Sequence, residues 1–98
     1  MRKILFLTIF YLCCGHKNIN RVELSFEEKL ELARQYFNQK KYRSASKLLE
    51  ELIYQSAGRA EMDEIEYMLA KSYFMQKKYK KATIEYEFFI EHFPRSKY

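Results

Sequence analysis

One stretch of this chain occurs twice in similar form. This repetition limits the folds that the chain can adopt more than any other feature of the sequence. Many residues of the stretch 33–53 recur in the stretch 70–90, each 37 positions later. A fixed period of this length is typical of solenoids, in which one supersecondary unit stacks on the next. Such proteins present extended binding surfaces, so the repetition favours a scaffold over an enzyme. The matching pairs include Ala33 and Ala70, Tyr36 and Tyr73, Phe37 and Phe74, Gln39 and Gln76, Lys40 and Lys77, Lys41 and Lys78, Tyr42 and Tyr79, Ala45 and Ala82, and Ile53 and Ile90.

Apolar residues within each copy recur at steps of three and four, the spacing of one face of an α-helix. Ser25 and Glu28 form a Ser-x-x-Glu capping box, so the first helix is predicted to begin there. Gly58 suits a left-handed turn after the second helix, and Pro94 stops the fourth. Because few segments alternate with period two, the predicted fold class is all-α. The first predicted helix begins at residue 25 and ends between residues 38 and 41. The other three cover about 42–54, about 59–75 and about 79–92. They pair as two hairpins, over about 25–57 and 59–94.

The shared residues are predicted to pack the helices of each hairpin together. Alanines leave room for close helix contacts, and tyrosines beside them fill the remaining space. An aromatic residue at helical spacing is more often part of a core than of a binding surface. Each Lys-Lys pair falls at a hairpin turn, near a helix C-terminus, where positive charge is favoured. These residues are Ala33, Ala45, Ala70 and Ala82, then Tyr36, Tyr42, Tyr73 and Tyr79, and the lysines at 40, 41, 77 and 78.

The first fourteen residues have the composition of a secretory signal. Arg2 and Lys3 precede an apolar run over residues 4–12, and small residues follow it. This run is too short for a helix that crosses a bilayer, which needs about 20 residues. Residues 1–14 are therefore predicted to be a signal peptide, and the polar residues 15–24 a tether to the folded part.

Both cysteines of the chain lie at the end of this apolar run. Adjacent cysteines are poorly placed to bridge each other, and the sequence has no further cysteine for a disulfide framework or a metal site. A cysteine at this place is similar to the lipobox of bacterial lipoproteins, in which the cysteine is acylated and begins the mature chain. Cys14 is the favoured lipid-bearing residue because Cys13 then supplies a small side chain before the cleavage site. Acylation at Cys13, or a discarded signal with two inert cysteines, are the alternatives.

Charge and motif content weigh against nucleic-acid binding and catalysis. The chain has 18 basic and 13 acidic residues, and the surplus is spread over short Lys-Lys pairs. His16 and His92 form no His-x-x-x-His motif, no Gly-x-Ser-x-Gly elbow is present, and two glycines are too few for a phosphate loop. No cofactor, metal site or catalytic group is predicted, and the chain is expected not to be an enzyme.

The repeated unit resembles the tetratricopeptide repeat. A small residue in the first helix, an aromatic three residues on, Tyr-x-x-Ala entering the second helix and a closing proline match that motif. The first copy has Ala57-Gly58 in place of the proline, and the period of 37 exceeds the family's usual value of about 34. The resemblance implies stacked helical hairpins. The residues that match in the second copy are Ala70, Tyr73, Tyr79, Ala82, Phe89 and Pro94.

The wider sequence is similar to the BamD family of outer-membrane β-barrel assembly lipoproteins. A Phe-x-x-x-Lys-Tyr-x-x-Ala segment and the stretch 88–98, Phe-Phe-Ile-Glu-His-Phe-Pro-Arg-Ser-Lys-Tyr, match its style of repeat junction, and the lipoprotein signal and tether agree. The resemblance implies a non-catalytic scaffold, lipid-anchored on the periplasmic side of the outer membrane. Its implied partners are barrel-assembly proteins and unfolded outer-membrane proteins, with no nucleic acid. Because the family has more repeats, the two here are expected to be the N-terminal part of a truncated array.

In repeats of this kind, the first helix of each hairpin lines the concave face. Its side chains that are not needed inside the hairpin alternate between aromatic and basic, which suits an extended peptide ending in an aromatic residue and a carboxylate. The opposing interpretation is that Phe37 and Phe74 pack against the next hairpin. The candidate groove residues are Leu30, Arg34, Phe37 and Asn38 in the first hairpin, and Tyr67, Lys71, Phe74 and Met75 in the second.

A second class of function is open to the same sequence. The hairpins could form the N-terminal arm of another envelope protein, either a periplasmic adaptor of the Tol-Pal type or a peptidoglycan-cleaving enzyme with repeats attached. Sequence beyond Tyr98 would distinguish these, because further repeats favour the assembly scaffold and a domain with paired catalytic acids favours the enzyme.

Overall fold

The computed structural model describes residues 23–98, so the predicted signal peptide, both cysteines and most of the tether lie outside the described residues. The four helices of this part are α1 (Phe26–Asn38), α2 (Tyr42–Gln55), α3 (Met62–Met75) and α4 (Tyr79–His92). No strand occurs between residues 23 and 98, and the all-α prediction is confirmed. Each helix packs against its sequence neighbours and α1 also contacts α3, so that two helical hairpins lie side by side.

The ends of the first and last helices follow the local sequence signals. Ser25 Oγ accepts a hydrogen bond from the Glu28 N–H at 3.2 Å, as the capping box predicts. Only this serine half of the box forms within the described residues. The last helix, α4, ends at His92, two residues before Pro94, because proline disfavours the helical conformation of the residue that precedes it.

Both hairpin turns close in the same way. Lys40 and Lys77 have φ values of 61° and 63°, in the left-handed region that residues other than glycine rarely adopt. In each turn the next lysine donates its N–H back to the third-last residue of the helix, which is the Schellman motif. The two bonds run from Lys41 N to Tyr36 O at 2.8 Å and from Lys78 N to Tyr73 O at 2.9 Å.

The connection between the hairpins is longer than the sequence predicts. The third helix was expected from about Arg59 and begins at Met62. Gly58 has a φ of 77°, as predicted, and the Arg59 N–H then bonds to Ser56 O at 2.8 Å. Residues 59–61, which were predicted to begin the third helix, belong to this connection instead.

One core runs through both hairpins. The alanines that the sequence marked for close contact are all buried, as predicted, and leucines from α2 and α3 pack between them. Leu49 and Leu52 of the first hairpin and Ile65 of the second are fully buried in this one core. Tyr36 packs against this core and its counterpart Tyr73 belongs to it, as predicted. Tyr79 was also predicted to fill space inside its hairpin, but it is 54% exposed because no helix within residues 23–98 covers it.

Candidate functional site

The predicted groove residues of the first hairpin are mostly engaged in packing. Leu30 is only 3% exposed and belongs to the core, so it presents no surface to a ligand. Phe37 packs against the same core and makes an edge contact with Tyr42 at 5.7 Å between ring centroids. Asn38, the last residue of α1, is exposed. Arg34 lies at the contact between the hairpins.

Arg34 joins the first helices of the two hairpins through Glu64. Its Nε lies 2.6 Å from Glu64 Oε1 and its Nη2 lies 2.7 Å from Glu64 Oε2, a bidentate pairing. The hydrogen bonding by Glu64 raises the pKa of Arg34 above its already high ordinary value. Arg34 is therefore used to hold the hairpins together, and a ligand carboxylate would have to compete with Glu64 for it.

Lys71 lies between aromatic rings of both hairpins. Its Nζ is 5.7 Å from the centroid of Phe37 and 6.0 Å from that of Tyr67, within the range of cation–π contacts. The structure thus brings together three of the predicted groove residues, one from α1 and two from α3. Phe37 contacts the next hairpin here, as the opposing interpretation predicts for it.

The predicted residues at the end of α3 have more free surface. Phe74 is 49% exposed and Met75 is 47% exposed. Phe74 makes an edge contact with Tyr79 at 5.5 Å, the counterpart of the contact between Phe37 and Tyr42. We call Tyr67, Lys71, Phe74 and Met75 the α3 strip, a row of aromatic, basic and apolar side chains along one helix.

The irregular segment 93–98 lies against the start of α3. Ser96 Oγ donates to Asp63 Oδ2 at 2.9 Å. The ring of Tyr98 stacks on that of Tyr67, with centroids 5.4 Å apart and planes inclined by 23°. This contact was not predicted from the sequence. The signal that could have suggested it is an aromatic residue, Tyr98, in the polar segment after Pro94.

A buried carboxyl group lies inside the second hairpin. Glu66 is 1% exposed, and its Oε1 has no hydrogen-bond partner within residues 23–98. Burial raises the pKa of Glu66 to about 9, and the neighbouring carboxyl of Glu85 adds to this. Glu66 therefore keeps its proton at neutral pH. The sequence signal was a single acid inside the apolar run 65–70, at a position where the first copy has Lys29.

A second polar contact crosses from α3 to α2. The Tyr73 hydroxyl donates to Glu50 Oε1 at 2.6 Å. Burial, followed by this hydrogen bond to Glu50, raises the pKa of Tyr73 above its ordinary range. The hydroxyl is thus a structural donor at neutral pH.

Between residues 23 and 98, no three His, Cys, Asp or Glu side chains lie close enough together to hold a metal ion. In the same part of the chain no helix has the length and apolar character needed to cross a bilayer.

Comparisons with protein-family models, with curated proteins and with solved structures find no match to this chain. The similarity to the BamD family therefore rests on the sequence features quoted above. Because a fold alone does not define a function, the function proposed below is based on the α3 strip and its surroundings.

Proposed function

We propose that this protein is a non-catalytic scaffold whose α3 strip binds a segment of a partner protein. Helical hairpins stacked in this way expose rows of side chains on a rigid support, which is how repeat proteins bind. The strip joins the ring of Tyr67, the cation of Lys71 and the half-exposed Phe74 and Met75 along one helix.

The contact between Tyr98 and Tyr67 carries this proposal. An irregular segment of the chain already lies along the start of α3, held by the Ser96–Asp63 hydrogen bond and by ring stacking at 5.4 Å. Aromatic pairs of this kind contribute about 0.5–1.5 kcal/mol beyond their buried area. The strip therefore accepts an aromatic residue from a non-helical segment within the molecule, and a partner segment with the same chemistry fits the same place.

Lys71 selects the charge of the proposed ligand. Its ammonium group lies close to Tyr67 and has no carboxylate within salt-bridge distance among the described residues. A peptide whose last residue is aromatic would place its ring on Tyr67 and its carboxylate near Lys71. Phe74 and Met75 would contact apolar residues further along the peptide.

A photo-cross-linking experiment tests the strip. The probe is an extended synthetic peptide with a terminal phenylalanine, a free carboxylate and a benzophenone side chain. We expect it to cross-link to the wild-type chain, and the double variant Tyr67→Ala/Lys71→Ala to lose the product while keeping its helical circular dichroism.

Tyr54→Ala/Lys47→Ala is the matched control, because it removes one exposed tyrosine and one exposed lysine from α2. It should cross-link like the wild type. Cross-linking that survives in the Tyr67/Lys71 variant would exclude the α3 strip as the binding surface.

The cellular setting is proposed from the sequence features. We infer a lipid-anchored scaffold on the periplasmic side of the outer membrane that binds barrel-assembly proteins and unfolded outer-membrane proteins. The lipobox-like cysteines and the BamD-like repeat junction support this role. Metabolic labelling with a fatty acid tests the anchor: we expect label in the wild type and none in Cys14→Ala, and an unlabelled wild type would refute the lipoprotein assignment.

A further inference from the structure

The second hairpin has an uncovered face where the first hairpin is covered. On the first hairpin, α3 packs over α2, and Phe37 and Tyr42 are half-buried. Their counterparts Phe74 and Tyr79 are 49% and 54% exposed. Within residues 23–98, no helix packs on this side of the second hairpin.

Residues 93–98, which follow α4, add no helix over this face. The turn that follows α2 is closed by the Arg59 N–H bonding to Ser56 O at 2.8 Å. The Ser96 N–H bonds in the same way to Phe93 O at 3.1 Å, 37 residues later. Segment 93–98 therefore begins like the loop between the hairpins, and the open face has the position at which a following helix would pack.

Three polar residues of α3 hold it on the first hairpin, and each has a defined hydrogen-bond partner there. Glu64 pairs with Arg34, Tyr73 Oη donates to Glu50 at 2.6 Å, and Gln76 Nε2 donates to Tyr42 O at 3.2 Å and to Ser46 Oγ at 3.0 Å.

The helix α1 carries the same three residues at the equivalent positions, as Glu27, Tyr36 and Gln39. The second hairpin also repeats the hydrogen-bond partners of these residues. The cation is Lys71, the carboxylate is Glu87 and the hydroxyl group is that of Thr83. The backbone carbonyl group is that of Tyr79. Both sides of the internal contact are thus present a second time, at opposite ends of the part of the chain that the structure describes.

We propose that α1 of a second copy of this chain packs on the open face of α3 and α4, in the place that α3 takes on the first hairpin. The two surfaces differ, so the contact is head-to-tail and each copy keeps one free surface of each kind. The copies therefore associate into chains of increasing length, without a fixed number of subunits.

The charges of the two surfaces are complementary. The exposed acids of the first turns of α1 are Glu27, Glu28 and Glu31, and Glu27 and Glu31 each lie 3.4 Å from an arginine of the same chain. The receiving side offers Lys71 and, in segment 93–98, the exposed Arg95 and Lys97. Opposite charges on two docking surfaces promote and orient their encounter.

The difference between α1 and α3 in apolar residues determines how strong the contact between copies is. At position 28 the helix α1 has a glutamate, whereas the equivalent Ile65 of α3 is fully buried. Because α1 has less apolar surface to bury than α3, we expect reversible association in the micromolar range that weakens as salt is added.

A charge exchange tests the head-to-tail arrangement by sedimentation velocity of the full-length chain in density-matched detergent. The wild type should show a sedimentation coefficient that rises with concentration. The variants Glu27→Lys and Lys71→Glu should each lose self-association by about tenfold or more, because each brings like charges together. Mixed in equal amounts they should associate again in alternating order, because each contact between the two different variants joins opposite charges.

Glu91→Lys is the control for the change in net charge. Its equivalent in the first hairpin, Tyr54, is 85% exposed and so lies outside the contact between hairpins. This variant should associate like the wild type. A wild type that stays monomeric up to about 500 µM, where a micromolar interface would be largely formed, would overturn the proposal. So would two variants that associate no better mixed than alone.

Discussion

At the scale of single residues, Glu66 is the side chain whose environment departs furthest from that of an ordinary helix surface. It is buried between α3 and α4, beside Glu85, and no cation compensates it within the described residues. A buried ionised carboxylate without a partner is so costly that the group keeps its proton instead. The proton held by Glu66 is a condition for the packing of the second hairpin.

The stability of the protein should therefore fall as the pH rises. The ordinary pKa of Glu66 is 4.5 and its folded-state pKa is about 9, so the folded state binds the proton more tightly than the unfolded state. The resulting stabilisation is complete below pH 4.5 and is lost progressively up to about pH 9.

Glu66→Gln keeps the shape of the side chain and removes its titration. We expect this variant to have a Tm higher by about 5 °C or more at pH 8 and a flatter dependence of Tm on pH than the wild type. Glu91→Gln, an exposed change on α4, should follow the wild type at every pH. Equal pH dependence of the wild type and Glu66→Gln by thermal circular dichroism would show that Glu66 ionises freely in the folded state.

At the scale of the elements, the two hairpins repeat their turns as closely as their sequences. Lys40 and Lys77 have nearly the same positive φ, and both turns close with the same backbone bond. The lysines that follow have negative φ values, −88° at Lys41 and −87° at Lys78. The left-handed residue is thus set by its place in the turn, and lysine tolerates that place at a cost.

Glycine at the left-handed position should relieve this cost. We expect Lys77→Gly to raise the free energy of unfolding by about 1 kcal/mol, because L-residues with a side chain are strained there. Lys78→Gly, one position on, should lower it by about 0.5–1 kcal/mol, because glycine adds only flexibility to the unfolded chain. Chemical denaturation of both variants measures the difference, and a destabilised Lys77→Gly would contradict this account of the turn.

The elements could largely be predicted from the sequence, because the signals involved are local. The repeated apolar spacing, Ser25, Gly58 and Pro94 fixed the helices to within a few residues, and α4 was predicted at its observed bounds. The start of α3 was placed three residues early because no strong N-cap residue stands before Met62. The left-handed lysines were missed, since lysine has no preference for that conformation.

At the scale of the whole molecule, the properties that matter for binding depend on how the hairpins stack. The sequence predicted eight groove residues by position on the first helices, but it could not show that Leu30 would be buried or that Arg34 would pair with Glu64. These outcomes depend on contacts with residues well beyond the neighbouring turns of the chain, such as Arg34 with Glu64, 30 positions apart. The same holds for the stacking of Tyr98 on Tyr67 and for the burial of Glu66.

Stacking also determines which surfaces stay open. A solenoid unit covers one face of the unit before it and exposes its own next face. In residues 23–98 this leaves the α3 strip along one side, the face of α3 and α4 at one end and the outer face of α1 at the other. Peptide binding and self-association meet at Lys71, so a peptide bound on the strip should weaken the head-to-tail contact.

Calorimetric titration of the wild type and Tyr98→Ala with the phenylalanine-terminated peptide tests whether the α3 strip is a binding site. If Tyr67 is the surface that receives the peptide's aromatic residue, removing the stacked Tyr98 frees that surface. The peptide should then bind Tyr98→Ala severalfold more tightly than the wild type, while Tyr67→Ala binds it weakly and Tyr54→Ala binds it like the wild type. Equal affinities for all four proteins would contradict the claim that the α3 strip is a binding site.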